Sequence, residues 1–196
     1  MIAWEDEGLI LSTRRHGEGD AILEVMTAAH GRHLGVVKGG GGRKRALLQP
    51  GGTARLEWRA RLAEHLGTFR AETARERAGA IMTDAGALAA LGAMTALLAL
   101  TPERQAMPRL YEGSTALADA LAQGADWPPA YALWELGFLE QTGFGLDLDA
   151  CASTGATHDL VWVSPRSGRA VSRAAGAPYA DRLLPLPGFL RGQGPS

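Results

Sequence analysis

The chain has a single cysteine, Cys151, among its 196 residues. It can form no intrachain disulfide and no cysteine metal cluster, which fits a reducing cytosol. Aromatic residues make up only 6% of the sequence, too few for a surface built mainly on stacked rings. Cations are not in excess either: 20 Lys+Arg stand against 21 Asp+Glu, a formal net charge of -1, which on average argues against a nucleic-acid partner. The most apolar stretch, from Asp84 to about Leu100, is too short and too rich in Ala and Gly for a membrane span. Met1-Ile2-Ala3-Trp4-Glu5-Asp6-Glu7 lacks the basic-then-apolar form of a secretory signal, so a cytoplasmic protein without a membrane partner is expected. No serine or cysteine sits in a nucleophile motif.

What is present is unevenly spread. Residues 1–80 carry 13 Lys+Arg against 10 Asp+Glu, and the remainder 7 against 11. A basic half and an acidic half suggest two domains with different partners. The length suffices for a sizeable core. The basic half centres on Val36-Val37-Lys38-Gly39-Gly40-Gly41-Gly42-Arg43-Lys44-Arg45, a strand end that runs into four glycines and three cations. Glycines let a backbone turn freely and approach another molecule closely. Four cations around them predict a mobile loop that attracts the phosphates of a nucleic acid; the competing reading is a solvated surface loop. A nucleotide-hydrolysing phosphate loop is excluded, because Arg45 rather than Ser or Thr follows Lys44.

Period-two hydrophobicity predicts five strands before residue 80, at about 8–14, 21–27, 32–38, 53–62 and 68–74. In the fourth, Leu56, Trp58, Ala60 and Leu62 share the inner face, and Arg55, Glu57, Arg59 and Arg61 share a largely cationic outer one. Phe69 and Ala71 of the fifth face inward and Arg70 outward. Five short antiparallel strands, with the longest connection between the third and fourth, suit a closed oligonucleotide-binding barrel. Candidate nucleic-acid-binding residues are therefore Lys38, Arg43, Lys44, Arg45, Arg55, Arg59, Arg61 and Arg70, which the family resemblance given below makes candidates for DNA contact. With Trp58 inward and Trp4 near the terminus, affinity should be mostly ionic.

From Asp84 the period becomes helical. Asp84 can cap a buried core helix to about Leu100. Pro108 opens a second helix whose Leu110, Ser114, Leu117 and Leu121 share a face before Gly124. Trp127-Pro128-Pro129 opens a third, with Tyr131, Trp134, Phe138 and Leu139 at helical spacing as core. A short irregular module follows, with a knuckle-like turn at Cys151–Gly155, a hairpin from Leu160 to Ser172 and a turn at Arg173-Ala174-Ala175. It has the outline of a zinc ribbon. Its ligand positions would be Cys151, Thr154, Ser172 and Ala175, and one cysteine does not make the four donors that a structural zinc needs. No metal or cofactor is expected; packing around Trp162 should hold the module.

The strings Gly17-Glu18-Gly19-Asp20-Ala21-Ile22-Leu23, Thr27 with His30-Gly31, Val37-Lys38-Gly39, Leu48-Gln49-Pro50-Gly51, Leu139-Glu140-Gln141-Thr142-Gly143-Phe144 and Leu146-Asp147-Leu148-Asp149, followed by the module after Cys151, resemble in their order the RecO family of bacterial recombination-repair mediators. The resemblance covers almost the whole chain. It implies an oligonucleotide-binding barrel over 1–80 and a helical domain over 81–196, with a ribbon-like insert at about 147–180. It further implies a non-enzymatic role: binding single- and double-stranded DNA, annealing complementary strands, and acting with RecR so that RecA loads onto DNA coated by single-strand-binding protein. Partner proteins would bind mainly on the helical domain. Zinc-binding cysteine pairs found in several members are missing here. Members usually continue into further helix beyond the position of Leu183-Leu184-Pro185, which implies a helical domain truncated at its C-terminal side. A non-catalytic scaffold that uses the barrel as a subunit or peptide platform is the alternative.

Overall fold

A computed structural model describes residues 1–124 and 126–192, with the side chains of Arg43 and Lys44 outside that description. The chain divides into two compact units, Met1–Tyr131 and Ala132–Ser196.

The first unit is built on five strands: β1 (Ile2–His16), β2 (Asp20–Thr27), β3 (Gly31–Val37), β4 (Thr53–Ala60) and β5 (Thr68–Arg75). They close into a barrel in the order β1-β2-β3-β5-β4, with β4 returning to β1. All pairs are antiparallel except the short β3–β5 contact, Val36 opposite Thr68 and Val37 opposite Phe69. Alternation sends Leu23, Val25, Leu56, Trp58 and Phe69 into a common core, where water is excluded. Burying each such side chain contributes about 1.5–3 kcal/mol. The Trp58 indole N–H is satisfied inside by the Leu66 carbonyl at 3.1 Å.

Three details differ from the sequence reading. β1 begins at Ile2 rather than Gly8, because residues 2–9 pair with β4 from Ala60 back to Thr53. β4 ends at Ala60, where that pairing runs out. Leu62 is therefore 50% exposed rather than inward, and Arg61 lies in the bend beyond the strand.

Helices α1 (Ala78–Ile81), α2 (Ala85–Leu98) and α3 (Pro108–Gln123) follow in the same unit. Asp84 caps α2 by accepting from the Gly86 and Ala87 amides at 2.7 and 3.1 Å. Pro108 opens α3, and left-handed Gly124 ends it. Leu110, Ser114, Leu117 and Leu121 are buried as one face. α2 is not a wholly buried helix. Ala87, Ala90, Leu91, Met94 and Leu98 are covered, while Leu88 is 46% exposed and the rest of its outer face is small and uncharged.

α4 (Trp127–Gln141) buries Trp134 and Phe138. The second unit then carries a three-stranded sheet, β7-β6-β8, from β6 (Leu160–Val163), β7 (Ala170–Ser172) and β8 (Leu184–Pro185). The expected hairpin is present. The turn after it is instead a short helix, α5 (Arg173–Gly176), and β8 had no clear period-two signal because it is two residues long. The core of this ribbon is Cys151, Leu160, Val163, Ala170, Val171 and Leu186, with Trp162 packed against its edge rather than at its centre. Two of the knuckle positions meet: the Ser172 amide donates to Cys151 Sγ at 3.3 Å. Among the described residues no three His, Cys, Asp or Glu side chains converge as metal ligands. No described helix is long and apolar enough to cross a membrane.

Candidate nucleic-acid interface

The glycine-rich loop leaves β3 and is held against the neighbouring β1–β2 turn rather than swinging free. The Gly40 amide donates to Val37 O at 3.1 Å, Gly41 to Gly19 O at 3.0 Å, and Gly39 to Asp20 Oδ1 at 2.9 Å. Arg43–Ala46 then forms one turn of 3-10 helix. Gln49 Nε2 donates to Arg45 O at 2.7 Å, and the Thr13 hydroxyl to Leu48 O at 2.6 Å. Hydrogen bonds thus tie the loop's first residues to the β1–β2 turn and its last to β1.

That anchoring brings the loop to the C-terminal end of β1. The strand registers place Arg14 opposite Ile22 and Arg15 opposite Ala21, and these oppose Val36 and Val37. Arg14 and Arg15 were absent from the expected set, yet both are exposed at the rim where the loop is pinned. Arg45 is exposed in the 3-10 turn that follows the glycines. Among the described residues no carboxylate forms an ion pair with Arg14, Arg15 or Arg45. The side chains of Arg43 and Lys44 lie outside the described residues.

Lys38 joins this rim to an open groove of about 540 Å³ along β5, lined also by Arg59, Thr68, Phe69, Arg70, Glu57 and Glu72. Lys38 itself is paired: its Nζ lies 2.8 Å from Asp20 Oδ2. Lys38, with the Gly39 amide, holds the Asp20 carboxyl below the ordinary carboxylate range. The groove places Arg59 and Arg70 together as expected, but not on a cationic face. Across the strands Arg55 stands opposite Glu7 and Glu72, and Glu57 opposite Glu5 and Arg70. Arg59 is bridged to Glu57, and Arg70 lies 3.9 Å from Glu72. Three arginines are interleaved with four glutamates, so their fields largely cancel beyond a few ångströms. Arg61 is exposed in the bend after β4, separate from the rim.

The aromatic residues serve the barrel's interior. Trp4 stacks on His30 with ring centroids 4.1 Å apart and lies 5.8 Å from Trp58, while His33 meets Trp58 edge-on at 4.7 Å. His33 is buried, and burial pushes its imidazole below the ordinary value. Its Nδ1 lies 3.0 Å from the Leu34 carbonyl oxygen; since a carbonyl only accepts, Nδ1 carries the proton.

Comparison with known proteins accords with this architecture. Family models described as Recombination protein O N terminal and Recombination protein O C terminal match residues 1–77 and 82–195. A DNA repair protein RecO of Cereibacter sphaeroides is 56% identical over 198 aligned positions, covering 100% of this chain and 82% of the relative. One from a Ruegeria species is 54% identical, covering 97% of this chain and 80% of the relative. Another, from Methylocella silvestris, is 54% identical, covering 98% and 78%. With both family models matched in order and more than half the residues shared along nearly its full length, the chain belongs to the RecO family of DNA repair proteins.

Proposed function

We propose that the chain is a non-enzymatic DNA-binding mediator of recombinational repair. It binds single- and double-stranded DNA through phosphates, anneals complementary strands, and works with RecR to let RecA load onto DNA covered by single-strand-binding protein. It acts in the cytoplasm. DNA is held by the barrel domain, residues 1–80, and partner proteins mainly by the helical domain, residues 81–196. The observation that carries the reading is that Arg14 and Arg15 near the end of β1, and Arg45 in the loop hydrogen-bonded to β1 and β2, are exposed and have no carboxylate partner among the described residues. Exposed cations without a carboxylate partner neutralise phosphates and read no sequence; Lys38, Arg59 and Arg70, each beside a carboxylate, add less. Arg43 and Lys44, which precede Arg45 in the same basic stretch of sequence, are further candidates. Arg55 and Arg61 are peripheral to these.

The interleaved glutamates of the β4–β5 face favour a second reading, a non-catalytic scaffold that presents the barrel to a peptide or subunit. Fluorescence anisotropy of a labelled single strand across a salt series separates the two. The mediator binds at low salt, with a log-log salt slope of about 0.7 per phosphate neutralised, and accelerates pairing when the complementary strand is added. No binding at low salt leaves the scaffold.

A further inference from the structure

The base of the glycine-rich loop already holds an anion. One Asp20 oxygen sits 2.8 Å from Lys38 Nζ, and the other accepts the Gly39 amide at 2.9 Å. Gly39 is left-handed, with φ +68°, and nothing lies within 4 Å of where its Cβ would be. The adjacent amides of Gly40 and Gly41 are spent on backbone carbonyls, so Gly39 is the loop amide directed at the carboxylate. An ammonium and a left-handed backbone amide converging on two oxygens of one centre form a small anion cradle. A phosphodiester offers the same chemistry: two oxygens sharing one negative charge. The cradle is accessible, since the Lys38 side chain is 76% exposed, and Lys38 lines the groove of Arg59 and Arg70.

We propose that Asp20 is an internal competitor for this cradle, and that a backbone phosphate of DNA engages Lys38 and the Gly39 amide by displacing the Asp20 carboxylate. The inference rests on the DNA-binding reading above. It makes Asp20 a brake on affinity: exchanging one anion for another at Lys38 gains little and releases few counterions. The brake is also reversible, because the displaced carboxylate recaptures Lys38 when the strand leaves.

The test compares the wild-type chain with Asp20→Asn and Glu18→Gln. Asp20→Asn keeps an oxygen for the Gly39 amide and frees Lys38. Glu18→Gln removes an equal charge from the same turn without touching the cradle, as Glu18 is exposed. With a labelled single strand, Asp20→Asn is expected to bind about two- to fivefold more tightly at low salt. Its salt slope should steepen by about 0.7, with Glu18→Gln shifting neither by as much. Equal gains in the two variants would reduce the effect to bulk charge and overturn the proposal, as would no gain in Asp20→Asn. A second readout is independent of DNA: the Gly39 amide resonance during titration with inorganic phosphate. It should respond at lower phosphate in Asp20→Asn than in wild type or Glu18→Gln. An equal response in all three overturns the proposal. If that difference is seen while no variant binds DNA, the competitor stands and the DNA-binding reading fails.

Discussion

Arg77 is 3% exposed, and its Nε donates to Asp119 Oδ1 at 2.7 Å. This joins the residue that starts α1, just beyond β5, to the last third of α3. Arg77 Nη1 also donates to Gly51 O at 3.0 Å, and Arg75 reaches the same Asp119 oxygen at 2.6 Å. Arg77, the larger influence, and then Arg75 hold the Asp119 carboxyl below its ordinary value. Two arginines on one carboxylate fix α3 against the barrel where apolar contact alone would let it slide.

Removing that carboxylate strands a buried guanidinium. Asp119→Ala is expected to lower stability by about 2–4 kcal/mol, read from urea unfolding at neutral pH. The sign with pH follows from the lowered pKa. The contribution is present above the unfolded carboxyl value of about 3.9 and is lost as pH falls through the folded one. A loss below about 0.5 kcal/mol would show that water replaces the carboxylate at no cost.

His33 titrates in the opposite chemical sense with the same direction in pH. It is kept neutral by burial, and the folded state binds its proton only below the unfolded value of about 6.5. Between the two values the unfolded chain holds more protons, so stability is full above about pH 6.5 and declines as pH falls through the folded pKa. Arg104 and then His30 reinforce the lowering, and Glu103 opposes it. Urea midpoints measured from pH 8 to pH 5 should fall for the wild type and fall less for His33→Phe. Parallel curves would remove His33 from the pH dependence.

Gly31 and Gly17 share a left-handed backbone, φ +62° and +60°, but not their surroundings. A Cβ on Gly31 would land on the Gln105 carbonyl, whereas one on Gly17 meets nothing within 4 Å. Gly17→Ala should cost only the conformational strain, about 1–2 kcal/mol. Gly31→Ala must also push the segment around Gln105 off the barrel, and a loss of more than about 3 kcal/mol is expected. Thermal melts of the two variants side by side check this; equal losses would mean that the segment yields freely.

The parts of this architecture legible in the sequence are those written within one strand or one helix. β4 displays both its faces in eight residues, and Asp84, Pro108 and Gly124 mark helix ends by their own chemistry. What failed was non-local. The outer face of β4 read as cationic because Glu5, Glu7 and Glu72, which stand beside its arginines, belong to other strands. β1 read short because its first residues, dominated by Glu5-Asp6-Glu7, show alternation only once Trp4 is seen to turn inward. α2 read as buried because its composition is apolar all round, and composition does not say which side is covered. Arg14 and Arg15 were missed because strand pairing alone carries the glycine loop to them. Two adjacent cations before the Gly17-Glu18-Gly19-Asp20 turn were the available signal.

Two sets of three arginines therefore make opposite predictions for DNA binding. Arg14, Arg15 and Arg45 have no carboxylate partner among the described residues, so replacing all three with alanine should remove up to three phosphate contacts. The salt slope on single strands should then fall by about 2. Arg55, Arg59 and Arg70 stand among glutamates, and replacing them leaves a strongly acidic face. That second variant repels DNA at low salt, but it removes few condensed counterions, so its slope should change by less than about 1. Both variants are exposed changes and should melt close to the wild type. Anisotropy titrations at several salt concentrations, on strands of unrelated sequence, read the two slopes directly. The reverse ranking would move the interface from the rim to the β4–β5 face and make the glutamates, rather than the glycine loop, the feature that DNA must overcome.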